Sequence, residues 1–198
     1  MRILLDVDGV LADWHSAALT VCNEIVRLQT GSSEKGYLHD DVDEWALVGW
    51  IKARHPEFDS DAFNARVDST GWVSGLLPYP GAVSGVRALA EIPNAEVVYV
   101  TSPTASNPTW HFERTNWLRS HFGAEKRQIV ATSAKHLIRG DLFVDDKVAN
   151  VDSWDAANSD GMAVLFDRPY NKRESWKGRR VGSLFEVAEI AERLAHLR

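Results

Sequence analysis

The sequence predicts an α/β protein: a doubly wound parallel sheet with a small helical cap inserted after the first strand. Three observations predict it. Short apolar runs end abruptly in acidic or hydroxyl residues, at Ile3-Leu4-Leu5-Asp6, Val97-Val98-Tyr99-Val100-Thr101 and Leu142-Phe143-Val144-Asp145, as doubly buried parallel strands do. Segments of helical period separate these runs, and strands joined through helices run parallel. A Gly- and Pro-rich return from Gly71 to Gly81 closes a helical stretch that begins directly after the first strand.

The first strand covers Ile3 to Leu5 and empties into Asp6-Val7-Asp8-Gly9. Asp6 and Asp8 are two residues apart, so an extended backbone sends both carboxylates to one face. Gly9 allows a sharp turn where a side chain would obstruct a ligand. Trp14, Ala17, Ala18, Val21, Ile25 and Leu28 recur at three- and four-residue steps and predict a helix from 14 to about 30, ended by Gly31-Ser32-Ser33. Glu34 to Asp43 is polar and aperiodic, a loop. Trp45, Leu47, Val48, Trp50 and Ile51 predict a second helix, stopped before Pro56, and a short third follows near Asp61 to Val67.

Beyond the return, Val83, Val86, Leu89 and Ile92 mark a helix, and Glu96 to Thr101 a β-branched strand. Residues 108–122 form a helix closed by Gly123. Gln128 to Ala131 and Asp141 to Asp145 are strands, 148–158 a helix, and Ala163 to Phe166 the last predicted strand. Arg168 to Arg180 is rich in Arg and Lys around Tyr170 and Trp176 and reads as a solvated loop, or as one that reaches over the site. Ser183, with Glu186 three residues on, makes a capping box for a final helix to Leu197.

A chain of 198 residues, 44% hydrophobic and 25% charged, holds one domain, or one core with an insertion. A net charge of −6 without a basic run argues against stable binding to nucleic acid, yet a small phosphorylated substrate needs only one local cationic cluster. Cys22 is the only cysteine, which excludes an internal disulfide and a multi-cysteine zinc site; among apolar helix residues it reads as a buried thiol. No apolar stretch has the length of a membrane span or the pattern of a signal peptide, so a cytoplasmic setting is expected. Oligomeric state stays open, a homodimer included. Eight tryptophans are enough to line a pocket as well as a core.

Open parallel sheets place their sites beyond the carboxyl ends of the strands. Those ends supply Asp6 and Asp8, then Thr101 and Ser102, then Lys135 in the loop after Ala131, then Asp145 and Asp146. Each type meets a separate need of phosphoryl transfer. Asp6 can attack phosphorus, and Asp8 can protonate the leaving alkoxide and later deprotonate water. The Thr101 hydroxyl, nearby amides and the Lys135 ammonium can hold phosphoryl oxygens. Asp145 and Asp146, with Asp6 and the carbonyl of Asp8, make an all-oxygen site that suits Mg²⁺. Singly, these residues are an ordinary helix cap, a solvated lysine and acidic turns; their shared position at strand ends is what argues for function. Trp14 follows the acidic loop directly, at the mouth of the site, where stacking accepts any base and is worth about 1–3 kcal/mol per base. Trp45 and Trp72 fit a core better.

Asp6-Val7-Asp8-Gly9-Val10, Thr101-Ser102-Pro103, Lys135 and Val144-Asp145-Asp146-Lys147 resemble the four motifs of haloacid dehalogenase superfamily phosphatases. The closer likeness is to the 5'(3')-deoxyribonucleotidases, through Asp6 to Trp14, Leu77-Pro78-Tyr79-Pro80-Gly81-Ala82, Val100 to Pro103, Trp117, His121-Phe122-Gly123, Gln128-Ile129-Val130 and Asp141 to Lys147. The resemblance implies a Rossmann-like core, assigned to residues 1–13 and 77–198, with residues 14–76 as the cap. It implies Mg²⁺-dependent removal of phosphate from nucleoside monophosphates through an aspartyl phosphate. Asp6 would match the nucleophile, Asp8 the acid/base, and Thr101, Ser102 and Lys135 the phosphate-binding positions. The metal would fall to Asp6, Asp8 and the Asp145–Asp146 pair, with Asp146 favoured within the pair. Trp14 matches an aromatic under the base, with Trp45 and Trp72 near other pocket aromatics. The chain departs from the family pattern at Ser133-Ala134 and after Pro103.

Two other readings stand beside this one. The same machinery could serve another small phosphate ester or a nucleic-acid 3' phosphate. A receiver-like phosphoacceptor domain also combines acids, Thr and Lys on a parallel sheet, but its acceptor would end a mid-chain strand, and no Asp ends Val97 to Val100.

Overall fold

Strand β1 (Arg2–Leu5) is inaccessible to solvent at Ile3, Leu4 and Leu5, which is why an unbroken apolar run, without alternation, serves it. The computed structural model describes residues 1–31 and 36–196. Among these, β1 is joined by β2 (Glu96–Thr101), β3 (Ile129–Ala131), β4 (Leu142–Asp145), β5 (Met162–Phe166) and β6 (Arg179–Val181). They form one sheet in the order β3-β2-β1-β4-β5-β6, with every neighbouring pair parallel. The chain winds outward from β1 on one side and then crosses to β4 on the other, so the switch point of the topology lies between β1 and β4. Leu5 is level with Tyr99 and with Val144, so Asp6 leaves the sheet at the edge where β2 and β4 also end.

Helices cover both faces. Ile3, Leu5, Val97, Tyr99 and Val144 pack with residues of α4 (Ala82–Glu91), α5 (Trp110–Phe122) and α7 (Leu184–His196). Leu4, Val98, Val100 and Phe143 face the opposite way, against Val151 and Trp154 of α6 (Val148–Ala157). A separate apolar cluster joins α1 (Trp14–Thr30), α2 (Leu47–Lys52) and α3 (Ser60–Val67) through Ala18, Cys22, Trp50, Ile51 and Phe63. Asp13 starts α1 by accepting a hydrogen bond from the Ser16 amide at 3.1 Å, and Gly31 ends it in the left-handed region. No described helix is long and apolar enough to cross a membrane.

The structure differs from the sequence reading in three places. Arg168 to Arg180 is not a solvated loop: Pro169–Asn171 is a 3-10 turn with Tyr170 and Asn171 buried, and Arg179 begins the edge strand β6. A strand of three residues, two of them arginine, carries no apolar signature. The second helix begins at Leu47, leaving Trp45 46% exposed ahead of it. The segment before it contains a 3-10 turn, His39–Asp41. The expected stop at Ser32-Ser33, the loop residues Glu34 and Lys35, and the helix end at Leu197 lie outside the described residues.

Helices α4 and α7 approach closely where Gly85 meets Leu184: a Cβ built on Gly85 would sit 2.3 Å from the Leu184 Cβ. Overpacking of this kind costs about 1–3 kcal/mol. Gly85→Ala is therefore expected to lose that much stability in urea unfolding, where an Ala at an open helix position would gain it.

Candidate active site

Three buried carboxylates meet at the carboxyl edge of the sheet. Asp6 and Asp145 end adjacent parallel strands and Asp146 follows directly, and each offers an oxygen within 4.8 Å of the others. Lys135, in a 3-10 turn after β3, lies between two of them, its Nζ 2.6 Å from Asp6 Oδ1 and 2.7 Å from Asp145 Oδ2. Asp145 accepts further hydrogen bonds from the Lys147 amide at 2.8 Å and from Asn150 Nδ2 at 3.0 Å. Asp146 Oδ2 accepts from the Tyr170 hydroxyl at 2.5 Å, and its backbone carbonyl accepts from Asn171 Nδ2 at 2.7 Å.

Three carboxylates against one ammonium leave the pocket short of positive charge. Burial, then the charge of Asp145, pushes Asp6 well above the ordinary carboxylate range, and the same two causes raise Asp146 to about 7. Burial works to depress Lys135, but Asp6 and Asp145 outweigh it and hold the ammonium above its usual value. A hard all-oxygen set under this strain fits a divalent cation. Gly9 closes the cradle with φ 85°; a Cβ there would lie 2.1 Å from Asp146 Oδ2 and 2.7 Å from the Tyr170 hydroxyl. Only glycine fits. Arg168 pins the same turn, its Nε 2.5 Å from the Gly9 carbonyl and its guanidinium 3.6 Å from the Tyr79 ring centre.

Asp8 stands apart. Its carboxylate accepts from Arg114 Nη2 at 2.6 Å and is outside the three-carboxylate group; the sequence reading gave the metal the backbone carbonyl of Asp8, not this carboxylate. The reason is that a turn, not an extended strand, follows Asp6: the amides of Leu11 and Ala12 both donate to the Val7 carbonyl. Thr101 is fully buried at the end of β2, and its hydroxyl has no partner among the described residues.

A cleft of about 620 Å³ opens over these groups, lined among others by Asp6, Asp8, Trp14, Trp45, Ser102 and Lys135. That volume is in the usual range for small-molecule sites. Trp45 is at the cleft and not in the core, with Lys147 Nζ 3.8 Å from its ring centre. Trp72 does not line the cleft; it packs edge-on against Trp14 at 6.4 Å. Sequence reasoning missed Arg114, Asn150, Tyr170 and Asn171. A signal existed for the last two, which follow the carboxyl end of β5. Arg114, in the middle of a helix, had none.

An α/β sheet with this strand order is the fold of several solved haloacid dehalogenase-like hydrolases. The fold agrees with a haloacid dehalogenase-like family hydrolase from Xanthomonas campestris, TM-score 0.56 at 12% identity, covering 100% of this chain and 96% of the other. The chain belongs to the family described as 5' nucleotidase, deoxy (pyrimidine), cytosolic type C protein, whose model matches residues 1–195. It is 30% identical to the mitochondrial 5'(3')-deoxyribonucleotidase of Mus musculus over 159 residues, 74% of this chain and 64% of that one, so it spans just under two thirds of that relative. It is 28% identical to the 5'(3')-deoxyribonucleotidase of Bacillus subtilis over 179 residues, 87% of this chain and 88% of the other.

Beside the cluster, His15 stacks on Tyr170 with ring centres 4.1 Å apart, and its Nδ1 is buried without a partner among the described residues. Burial, then the facing His39, lowers His15 to about 4; Asp13 opposes this shift and Arg168 adds to it. A histidine lowered on folding costs nothing above its unfolded value near 6.5. As pH falls from 6.5 to 4, the unfolded chain takes the proton first, and stability drops by up to about 3 kcal/mol. His15→Phe keeps a stacking ring and is expected to flatten that loss in urea unfolding measured across the same pH range.

Proposed function

We propose that this chain is a Mg²⁺-dependent phosphatase of deoxynucleoside monophosphates working through a phosphoryl-Asp6 intermediate, with residues 14–76 as a cap over the cleft. The convergence of Asp6, Lys135, Asp145 and Asp146 on one sheet edge carries this reading. The names of the relatives and the tryptophan-lined cleft support a nucleotide as the substrate.

Asp6 attacks phosphorus as the ester P–O bond breaks, and Asp8 gives its proton to the departing alkoxide. Water then attacks the phosphoryl group, returning a proton to Asp8 and releasing Asp6 with inorganic phosphate. Lys135 holds Asp6 in place and, with Ser102, faces the phosphoryl oxygens, while Thr101 lies buried beneath them at the end of β2. Asp6 and Asp146 would hold Mg²⁺, which would neutralise charge on the transferring group. Asp145 has its oxygens committed to Lys135, Asn150 and the Lys147 amide, which favours Asp146 as the ligand of the pair. Trp14 offers a face to the base.

Purified protein is expected to release phosphate from dUMP or dTMP only with Mg²⁺, and to lose that activity with EDTA or in Asp6→Asn. Turnover of another phosphate ester with none of any nucleoside monophosphate would keep the chemistry and overturn the substrate. The Tyr170 hydroxyl fixes Asp146, and removing such an outer partner weakens metal binding by about 10–100-fold. Tyr170→Phe is expected to show that loss in Mg²⁺ affinity by calorimetry, with its fold retained by circular dichroism.

A further inference from the structure

We propose that Arg114 is a positioning residue that keeps Asp8 out of the carboxylate cluster and at the cleft; the inference rests on the reading of Asp8 as the proton donor. Arg114 comes from the middle of α5, and its side chain is 2% exposed. Its Nη2 donates to both Asp8 oxygens at 2.6 Å. Its Nε and Nη1 are buried without partners, and the rings of Trp110 and Trp117 flank the guanidinium at 5.6 Å each. A buried guanidinium with two unsatisfied donors is costly. Arginine carries five N–H donors. Here, among the described residues, they reach Asp8 alone.

Its neighbour Glu113 does not relieve that cost. Glu113 points at the return from the inserted helices, accepting from the Gly71 and Ser74 amides at 2.8 and 3.1 Å and from the Thr109 hydroxyl. Consecutive residues of one helix thus hold the return segment and Asp8. The Asp8 side chain is 34% exposed at the cleft, while Asp6, Asp145 and Asp146 are buried. A cation drawn to those three would attract a fourth carboxylate two residues from Asp6. Arg114 supplies a competing positive charge at Asp8 and divides the four acids into three for a cation and one for a proton.

The test compares kcat/KM for dUMP, whose alkoxide needs a proton to leave, with that for p-nitrophenyl phosphate, whose phenolate leaves without one. The ratio is internal to each variant, so a partly unfolded preparation cancels. Asp8→Asn is expected to lose at least about tenfold more on dUMP than on p-nitrophenyl phosphate, as removal of a general acid does. Arg114→Met is expected to show the same selective loss, and Arg114→Lys to recover part of it. A selective loss in Asp8→Asn with equal losses in Arg114→Met overturns the role of Arg114 alone. Equal losses in Asp8→Asn overturn the proton-donor reading and this inference with it.

Discussion

The bridge from Lys135 to both Asp6 and Asp145 is the contact on which the rest of the site depends. Two carboxylates ending adjacent parallel strands repel each other, and burial multiplies that repulsion because the interior screens charge poorly. One ammonium answers part of it, and Asp146 brings the deficit back. The protein thus keeps an unbalanced negative pocket at the switch point of its sheet. A folded chain tolerates this only if the surrounding contacts over-determine the geometry, and here they do. Asn150, Tyr170, Asn171 and the absent side chain of Gly9 each fix one part of it.

The inserted helices are tied to this pocket rather than merely set above it. Tyr170 packs in their apolar cluster while its hydroxyl reaches Asp146. Arg173 pairs with Asp43 at 2.5 Å, and Lys147, directly after Asp146, lies over Trp45. Glu113 secures the return segment. The result is a cleft with charge fixed at its floor and aromatic faces near its rim. A cation matches that floor and a flat group matches that rim.

Much of this was legible in the chain. The strand ends carried Asp6, Asp8, Thr101, Lys135, Asp145 and Asp146, and the topology brought Asp6, Lys135, Asp145 and Asp146 together. The helical periods located α1 and α3 to α7 to within a few residues. Trp45 was harder, because an aromatic beside an apolar run reads as core until the start of the helix is known. Tyr170 and Asn171 were hidden for another reason. Surrounded by Arg and Lys, they looked solvated, and only the edge strand β6 folds that segment back against Asp146.

The sequence by itself determined β1 to β5, their parallel sense and the acids at their ends, because apolar periodicity and abrupt polar ends are local patterns that burial enforces. Only the tertiary structure decided how those acids divide their work. Which carboxylate meets Lys135, which meets Tyr170 and which meets Arg114 depends on side chains far off along the chain, Arg114 lying 106 residues from Asp8. Pairing over such distances is set by packing geometry, and no local pattern encodes it.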